Sequence, residues 1–415
     1  VTVERQMFPD ITLLEDVCPA EGSFPPEHGR VFDHRADVRS HYEQQVGDKM
    51  RLFNNYIPGV DTDVPYLKVI QNGKFIVWNG NFTNGRYAFK SEASAWNDKG
   101  DVAIGLGYVP PKNTSIITTR KLPPGNYVAF TTWFHENYGH FVHDHLPTIA
   151  FLKTVVPEST KFLLVDAKIT RKVLSVLDPH FLETRVMWIH SLDAVEVTGG
   201  GTLTVAVGNS LPANNGCCRL FDFLRQWMAA THPDRHRDEQ RSIIYYSRTA
   251  SSDVYHGRIL DEEHEKDVIR HIRAKMQQYN RPERLVTFTG QWNGETMDVL
   301  NQFATFRTAS TIIGPHGSGI GGNFVWTLPF ADKCQDRVQL LEFIPGPDSA
   351  YVQALYASYY VNWRKWPLDY NVVLYTNQST PMTTFIDLNA LDSALDYMWG
   401  GPFGKKFVTS STSRG

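Results

Sequence analysis

The feature that most limits what this chain can fold into is the regular strand–helix alternation of its second half. Ser242–Tyr246 reads as a strand, Glu262–Tyr279 as a helix, Leu285–Phe288 as a strand, Thr296–Ala309 as a helix, Thr311–Ile313 as a strand and Val338–Ile344 as another. Strands separated by whole helices cannot close into hairpins, so this order predicts a parallel sheet. Val338–Ile344 is nearly continuous in apolar residues, as expected of a strand covered on both faces. The helix from Glu262 opens on acidic residues, which suit the positive end of the helix dipole. Its Val268, Ile269, Ile272 and Met276 fall on one stripe.

The first half is less regular. Residues 1–60 read as an irregular, Pro- and charge-rich leader. Tyr66–Ile70 and Lys74–Trp78 are short apolar runs joined by Gln71-Asn72-Gly73, and Asn-Gly between such runs predicts a hairpin. Tyr127–Thr131 is a further strand. Alternation then begins: Thr148–Val155 as helix, Lys161–Val165 as strand, Arg171–Leu177 as helix and Val186–Ile189 as strand. Thr198–Asn215 is rich in Gly, Thr and Asn and is expected to end at the junction between domains. Leu220, Phe221, Leu224, Trp227 and Met228 then recur at helical spacing. A chain of 415 residues suits two domains of ordinary size. The expected division is a leader (1–60), an N-terminal Rossmann-like domain (61–215), a C-terminal Rossmann-like domain (216–385), and a C-terminal helix with a polar tail (386–415).

Three patches carry chemistry. The first is Ile312-Ile313-Gly314-Pro315-His316-Gly317-Ser318-Gly319-Ile320-Gly321-Gly322-Asn323, a short buried strand running into a loop with five glycines and one histidine. Glycines let the backbone approach a ligand closely and offer N–H groups to an anion, and a helix start would add positive dipole character. His316 is suited to donate to a phosphate or a sugar hydroxyl; the plainer reading is a glycine-rich turn with a structural histidine. Glu342 follows 20 residues after Gly322 at a strand end, where a carboxylate accepts from both hydroxyls of a ribose. Otherwise it is a solvated strand-end acid.

This spacing also fits a dinucleotide-dependent oxidoreductase of Rossmann type. Against that rival, a dinucleotide loop opens its domain, whereas this loop lies about three quarters along the chain. Gly317-x-Gly319-x-Gly321 also misses the G-x-G-x-x-G spacing by one residue.

The second patch is Ser247-Arg248 after the strand Ser242–Tyr246, with Arg258 ten residues on. Guanidinium forks bind phosphate oxygens in pairs and stay charged; alternatively each arginine forms a surface salt bridge. The third patch is Asn137-Tyr138-Gly139-His140-Phe141-Val142-His143-Asp144-His145. On a helix His140 and Asp144 share a face, one turn beyond Asn137, and such a cluster can orient an acceptor hydroxyl and take its proton. A structural His/Asp pair and a metal site are the competing readings. The histidine spacing matches no common zinc motif.

Composition narrows the partners. Net charge is −3, so no basic nucleic-acid footprint is present. No apolar run approaches the ~20 residues of a membrane span, and no secretory signal opens the chain. A membrane anchor is expected only as a segment removed upstream. Aromatic residues make up 13%, a share that serves sugar stacking or an ordinary core alike. Four cysteines (Cys18, Cys217, Cys218, Cys334) and three sequons beginning at Asn81, Asn113 and Asn377 lean towards a secretory lumen.

Taken together the three patches resemble glycosyltransferase family 61. Asn137-x-x-His140-x-x-x-Asp144 is similar to the family's N-terminal-domain motif, and Ser247-Arg248 with Arg258-Ile259 to its arginine motif. Gly314-Pro315-His316-Gly317-Ser318-Gly319 is similar to its signature, where alanine is commoner than Ser318. Leu341-Glu342-Phe343-Ile344-Pro345 is similar to the strand that follows. Gly321-Gly322 and the long insert between Arg248 and Arg258 depart from the pattern. The resemblance implies an α/β fold of GT-B type, with two Rossmann-like domains facing a central cleft. It also implies inversion at the anomeric carbon without an obligatory metal or other cofactor. Its donors are of the xylose, N-acetylglucosamine or arabinose class, its acceptors glycans or glycoproteins, and its place the lumen of the ER or Golgi.

The expected mechanism is a single in-line displacement from a UDP-sugar. Glu342 holds the ribose. Arg248, Arg258, His316 and the loop Gly317-Ser318-Gly319 neutralise the leaving diphosphate. Asp144 is the expected general base, oriented by His140, with His140 itself the alternative. Asn137, Tyr138 and His143, with Trp133 and Phe134, are expected on the acceptor. A catalytically inactive carbohydrate-binding relative is the remaining rival.

Overall fold

The computed structural model describes residues 31–32, 67–78, 92–96, 102–104, 118–130, 137–190, 193–206, 218–232, 240–248, 260–292, 295–327, 338–345, 368–377 and 384–401. They fall into two compact units, one centred on residues 59–235 and the other on 236–297 with 301–415. Strand β1 (Val31–Phe32) belongs to the second unit.

The first unit contains β2 (Leu67–Gln71), β3 (Lys74–Trp78), β4 (Glu92–Trp96), β5 (Val102–Ile104), β6 (Thr118–Leu122) and β7 (Asn126–Phe130). Helix α1 (Tyr138–His140) passes through a π-helical turn, Phe141–His145, into α2 (Leu146–Val155). Then come β8 (Lys161–Val165), α3 (Lys168–Leu177), α4 (Pro179–Arg185), β9 (Val186–Ile189), β10 (Asp193–Val197), β11 (Thr202–Ala206) and α5 (Cys218–Thr231).

The predicted hairpin between β2 and β3 does not form. β2 pairs with β11, and β3 pairs with β4 and β10, so the turn is a corner between two sheets. Asn72 does adopt the left-handed backbone, at φ 50°. Its N–H donates to the Gly201 carbonyl at 3.1 Å, and its Oδ1 accepts from the Gly200 amide at 3.0 Å. Local turn chemistry was read correctly; downstream strands decided the partners. One of these, β11, lies inside the Gly-, Thr- and Asn-rich stretch Thr198–Asn215, whose end was expected at the domain junction. Its threonines serve as strand formers there, and only Gly199–Gly201 before it make the turn.

The two sheets run β2-β11-β7-β8-β9 and β5-β4-β3-β10-β6. Phe75, Leu122, Val195 and Val197 from one share a core with Tyr127, Ala129, Leu163, Val165, Leu203 and Val205 from the other. Strands β11, β7, β8 and β9 are mutually parallel, and the chain order reverses between β11 and β7. Helix α5, expected to open the second domain, packs on α2 within this unit.

Asp178 ties these helices together. Its carboxylate caps α4 through the Phe181 amide at 2.9 Å, accepts from Trp227 Nε1 of α5 at 2.8 Å, and pairs with Lys153 of α2 at 3.3 Å. Burial acts to raise its pKa, but the Phe181 amide, the Trp227 indole and Lys153 outweigh it and hold the group below the usual carboxylate value.

The second unit contains β12 (Ser242–Tyr246), α6 (Glu262–Gln278), β13 (Arg284–Phe288), α7 (Val299–Phe306), β14 (Ala309–Pro315), α8 (Ser318–Gly321), β15 (Val338–Pro345), β16 (Leu368–Asn377), β17 (Thr384–Ile386) and α9 (Leu388–Gly400). Asp261 caps α6 by accepting from the Glu263 and His264 amides, which explains why the helix starts there. Val268 and Ile272 bury its predicted stripe against the sheet. The sheet runs β1-β16-β15-β14-β12-β13, all parallel, with β17 antiparallel on β16. Numbered within the unit, β12 to β16 stand in the order 2-1-3-4-5. The chain order therefore reverses between β12 and β14. In sheets of this kind ligands bind beyond the carboxyl ends of the strands at that reversal. The molecule is thus a mixed α/β protein with parallel sheets, as the alternation predicted. Helix α9, expected as a separate C-terminal element, packs into this unit's core through Leu391, Leu395 and Met398.

Asp178→Ala is expected to lower the unfolding free energy by about 2–3 kcal/mol at pH 7, since three hydrogen bonds to one charged group are lost. Because the folded carboxyl titrates below its unfolded value, this contribution is present above about pH 4 and fades as pH falls further. Urea denaturation at pH 7 checks it; an unchanged midpoint contradicts it.

Candidate functional site

The reversal point of the second sheet carries two of the three sequence patches. Ser247-Arg248 leaves the carboxyl end of β12, and the glycine loop leaves the carboxyl end of β14. The two strands are neighbours, with Tyr245 opposite Ile313. The Arg248 guanidinium donates to the His316 carbonyl at 2.8 Å. Arg248 and His316 are both buried.

This approach requires glycine. A Cβ on Gly314 would meet the Tyr246 carbonyl oxygen at 2.6 Å, and one on Gly319 would meet the Tyr246 ring at 2.5 Å. A Cβ on Gly317 would collide with the Arg248 guanidinium. The expected need for small residues is met, although the space they leave is filled first by Tyr246 and Arg248. Gly317 caps the short helix α8, whose exposed Ser318 and half-buried Gly319 start a turn; the opening N–H groups of a helix have no acceptor within it.

The loop is also held from behind. Asn323, fully buried, donates from Nδ2 to the Gly319 carbonyl at 2.7 Å and to Gln302 Oε1 of α7 at 2.8 Å. Beneath Arg248, Glu265 of α6 accepts from the Ser247 hydroxyl and the Tyr245 hydroxyl, each at 3.1 Å. Burial, and then the Glu265 charge, push the Tyr245 phenol well above its ordinary value, so it stays protonated and donating.

Glu342 stands where the sequence puts it, on β15 opposite Gly314, but not in the expected environment. Rather than meeting solvent at a strand end, it is completely buried. One carboxylate oxygen takes His316 Nδ1 at 2.5 Å and the other takes the Tyr370 hydroxyl at 2.6 Å. In that position each carboxylate oxygen meets a donor from the protein itself. The physical reason is strand length: β15 continues to Pro345 and β16 covers its flank, leaving residue 342 inside the sheet. Arg258 lies outside the described residues.

The third patch is in the first unit. It follows β7 in the chain. Asn137 Oδ1 accepts from the His140 amide at 3.3 Å and so caps α1. His143 Nδ1 donates to the Gly139 carbonyl at 2.5 Å, and the His140 and His143 rings lie 5.4 Å apart. The expected α-helical face of His140 and Asp144 is altered, because Phe141–His145 is π-helical. Its i→i+5 bonds widen the turn, and such turns recur at functional sites. Tyr138 is half-buried. The Asp144 side chain, Trp133 and Phe134 lie outside the described residues, as do the sequons at Asn81 and Asn113 and the side chains of all four cysteines. Among the described residues no helix is long and apolar enough to cross a membrane.

The family model described as Glycosyltransferase 61 matches residues 138–327, just under half of the chain. The match runs from the His140 patch through Arg248 to the end of the glycine loop, and it bears out the resemblance read from those motifs. No curated protein matches the chain. Among solved structures the chain is similar to the dodecameric iron-containing heptosyltransferase TibC in complex with ADP-D-β-D-heptose. Identity is 10%, 64% of this chain and 74% of that chain are covered, and the TM-score is 0.25.

Two expected outcomes follow from the packing at the loop. Gly314→Ala meets backbone and is expected to cost about 1–3 kcal/mol, whether or not Tyr246 is also changed. Gly319→Ala meets only the Tyr246 ring, so Tyr246→Ala is expected to restore much of its stability. A double-mutant cycle by thermal denaturation separates the two cases; equal rescue of both glycine variants contradicts the packing described.

Proposed function

We propose that this chain, a member of glycosyltransferase family 61 over residues 138–327, transfers a sugar from a UDP-sugar to a hydroxyl of a glycan or glycoprotein with inversion. The observation that supports this most is the meeting of Arg248, His316 and the glycine loop at the reversal point of a 2-1-3-4-5 parallel sheet. A guanidinium and a histidine beside backbone amides suit a diphosphate leaving group. We assign the donor to this second unit, held by Arg248, Arg258, His316, Gly317, Ser318 and Gly319.

The reaction is a single displacement. The acceptor oxygen forms a bond to the anomeric carbon as the bond from that carbon to the diphosphate breaks. The acceptor proton passes to Asp144, with His140 the alternative, and UDP departs with the bonding electron pair. Asn137, Tyr138 and His143 address the acceptor. Asn137 and His143 are already oriented by their bonds to the α1 backbone, so less side-chain freedom is lost when substrate arrives. Each unit having its own parallel sheet agrees with a GT-B enzyme. We place the reaction in the lumen of the secretory pathway, with a xylose-, N-acetylglucosamine- or arabinose-class donor and no obligatory metal.

Arg248→Ala is expected to abolish UDP binding in isothermal titration calorimetry, and unchanged affinity refutes the donor-site assignment. Transfer is expected to survive EDTA. Loss of activity that Mn²⁺ restores refutes the metal-free mechanism.

A further inference from the structure

We propose that the stacked rings of Phe385 and His264 form the platform on which the base of the bound nucleotide-sugar lies. The inference rests on the donor-site reading above. It adds the part of the site that takes the base, which Arg248 and the glycine loop do not address.

Phe385 is the middle residue of β17. It is 43% exposed while its neighbour Ile386 is completely buried, and among the described residues it is the one large apolar side chain left so open. Its ring is nevertheless held. It lies on the His264 imidazole with centroids 4.3 Å apart and planes 16° from parallel. His264 is half-buried, and its Nε2 accepts from the Ile386 amide at 2.9 Å. That amide is one residue beyond Phe385, so a single bond ties the imidazole to the strand that carries the second ring. Accepting requires a bare Nε2. Burial agrees with this, lowering the His264 pKa below its ordinary value against the pull of Asp267 and Asp261.

The pair stands close to the residues assigned to the diphosphate. His264 is in the first turn of α6, next to Glu265, and consecutive Cα atoms are ~3.8 Å apart. Glu265 accepts from the Ser247 hydroxyl at 3.1 Å, and Arg248, the next residue, reaches the His316 carbonyl at 2.8 Å. From the other side, β17 pairs with Tyr375–Asn377, the carboxyl end of β16. Parallel strands share their carboxyl edge, so this is the edge from which the glycine loop leaves β14. A nucleotide gripped by its diphosphate at the loop can therefore bring its base to the platform. A base is flat, and its π-face stacks on an aromatic ring whatever its identity. With Nε2 taken by Ile386, the pair offers mainly ring surface, which suits a planar base better than the hydroxyls of a sugar. A platform already stacked loses little side-chain freedom on binding.

The direct test is photocrosslinking of the full 415-residue chain with 4-thio-UDP, followed by peptide mass spectrometry. The adduct is expected on the peptide that carries Phe385, and adducts confined to other segments overturn the inference. In calorimetry, Phe385→Ala is expected to weaken UDP binding about 5- to 150-fold, the scale of one base–aromatic stack. Inorganic pyrophosphate, which has no base, is expected to bind that variant as it binds wild type. Phe385→Tyr keeps a flat ring and is expected to retain UDP affinity, whereas Phe385→Leu, apolar but not planar, is expected to behave as the alanine variant. Unchanged UDP affinity in Phe385→Ala, equal rescue by leucine and tyrosine, or a parallel loss of pyrophosphate affinity each refutes it. Failure of the donor-site reading alone looks different: Arg248→Ala then leaves UDP affinity unchanged while Phe385→Ala still weakens it. A wild type that binds no UDP refutes both.

Discussion

The close passage of the glycine loop over the end of β12 is the constraint on which the rest of the second unit depends. Tyr246 and Arg248 occupy the space that side chains at positions 314, 317 and 319 would need. The parallel pairing of β12 with β14 brings these segments side by side, and the order reversal between them leaves no crossover helix above the strand ends. The contact therefore has two origins. Topology creates an open edge, and the missing side chains let a guanidinium seat against the loop carbonyl. Asn323 and Glu265 then hold the two sides from behind. A site built this way is rigid before substrate arrives, which suits a task of stabilising developing charge without rearrangement.

Buried charge is organised around the same point. Glu342 and Glu265 sit under the loop and under the Ser247-Arg248 segment, each accepting from two protein donors. Removing one partner from such a group leaves an unmet acceptor in a medium with little water, which costs more than the bond itself contributes. The two carboxylates thus couple the fold of the sheet to the position of His316 and Arg248. In the first unit the patch at Asn137–His143 is preorganised by a different device, a helix cap followed by a π-helical turn whose side chains bond back to its own backbone.

Much of this was legible in the residues. Helical and strand periodicity located β12, α6, β13, β15, α2, α3, β8 and β9 to within a few residues, because each has a well-defined apolar face or run. The glycine–histidine loop and Ser247-Arg248 were identifiable because their chemistry is local. What was not legible depended on distant pairing. Nothing near Asn72 says that its flanking strands join separate sheets, and nothing near Thr202 marks it as strand rather than connection until β7 is beside it. The spacing of Glu342 singles it out, but its burial by β16 cannot be read from residue 342 itself. Tyr370, which completes its environment, lies beyond the motif region on a strand that carries no signature. In the sequence Tyr246 is marked only as the last residue of a strand. Its contact with Gly314 and Gly319 becomes visible once the two strand ends are adjacent.

The account stands or falls on whether a diphosphate is gripped at the end of β14. Hydrogen–deuterium exchange with and without UDP measures that directly. The expected result is slower exchange of the amides from His316 to Gly322 and of Ser247 and Arg248, with the amides of α3 and α4 unchanged. Exchange at the glycine loop that UDP leaves untouched, with protection elsewhere or nowhere, contradicts the central claim.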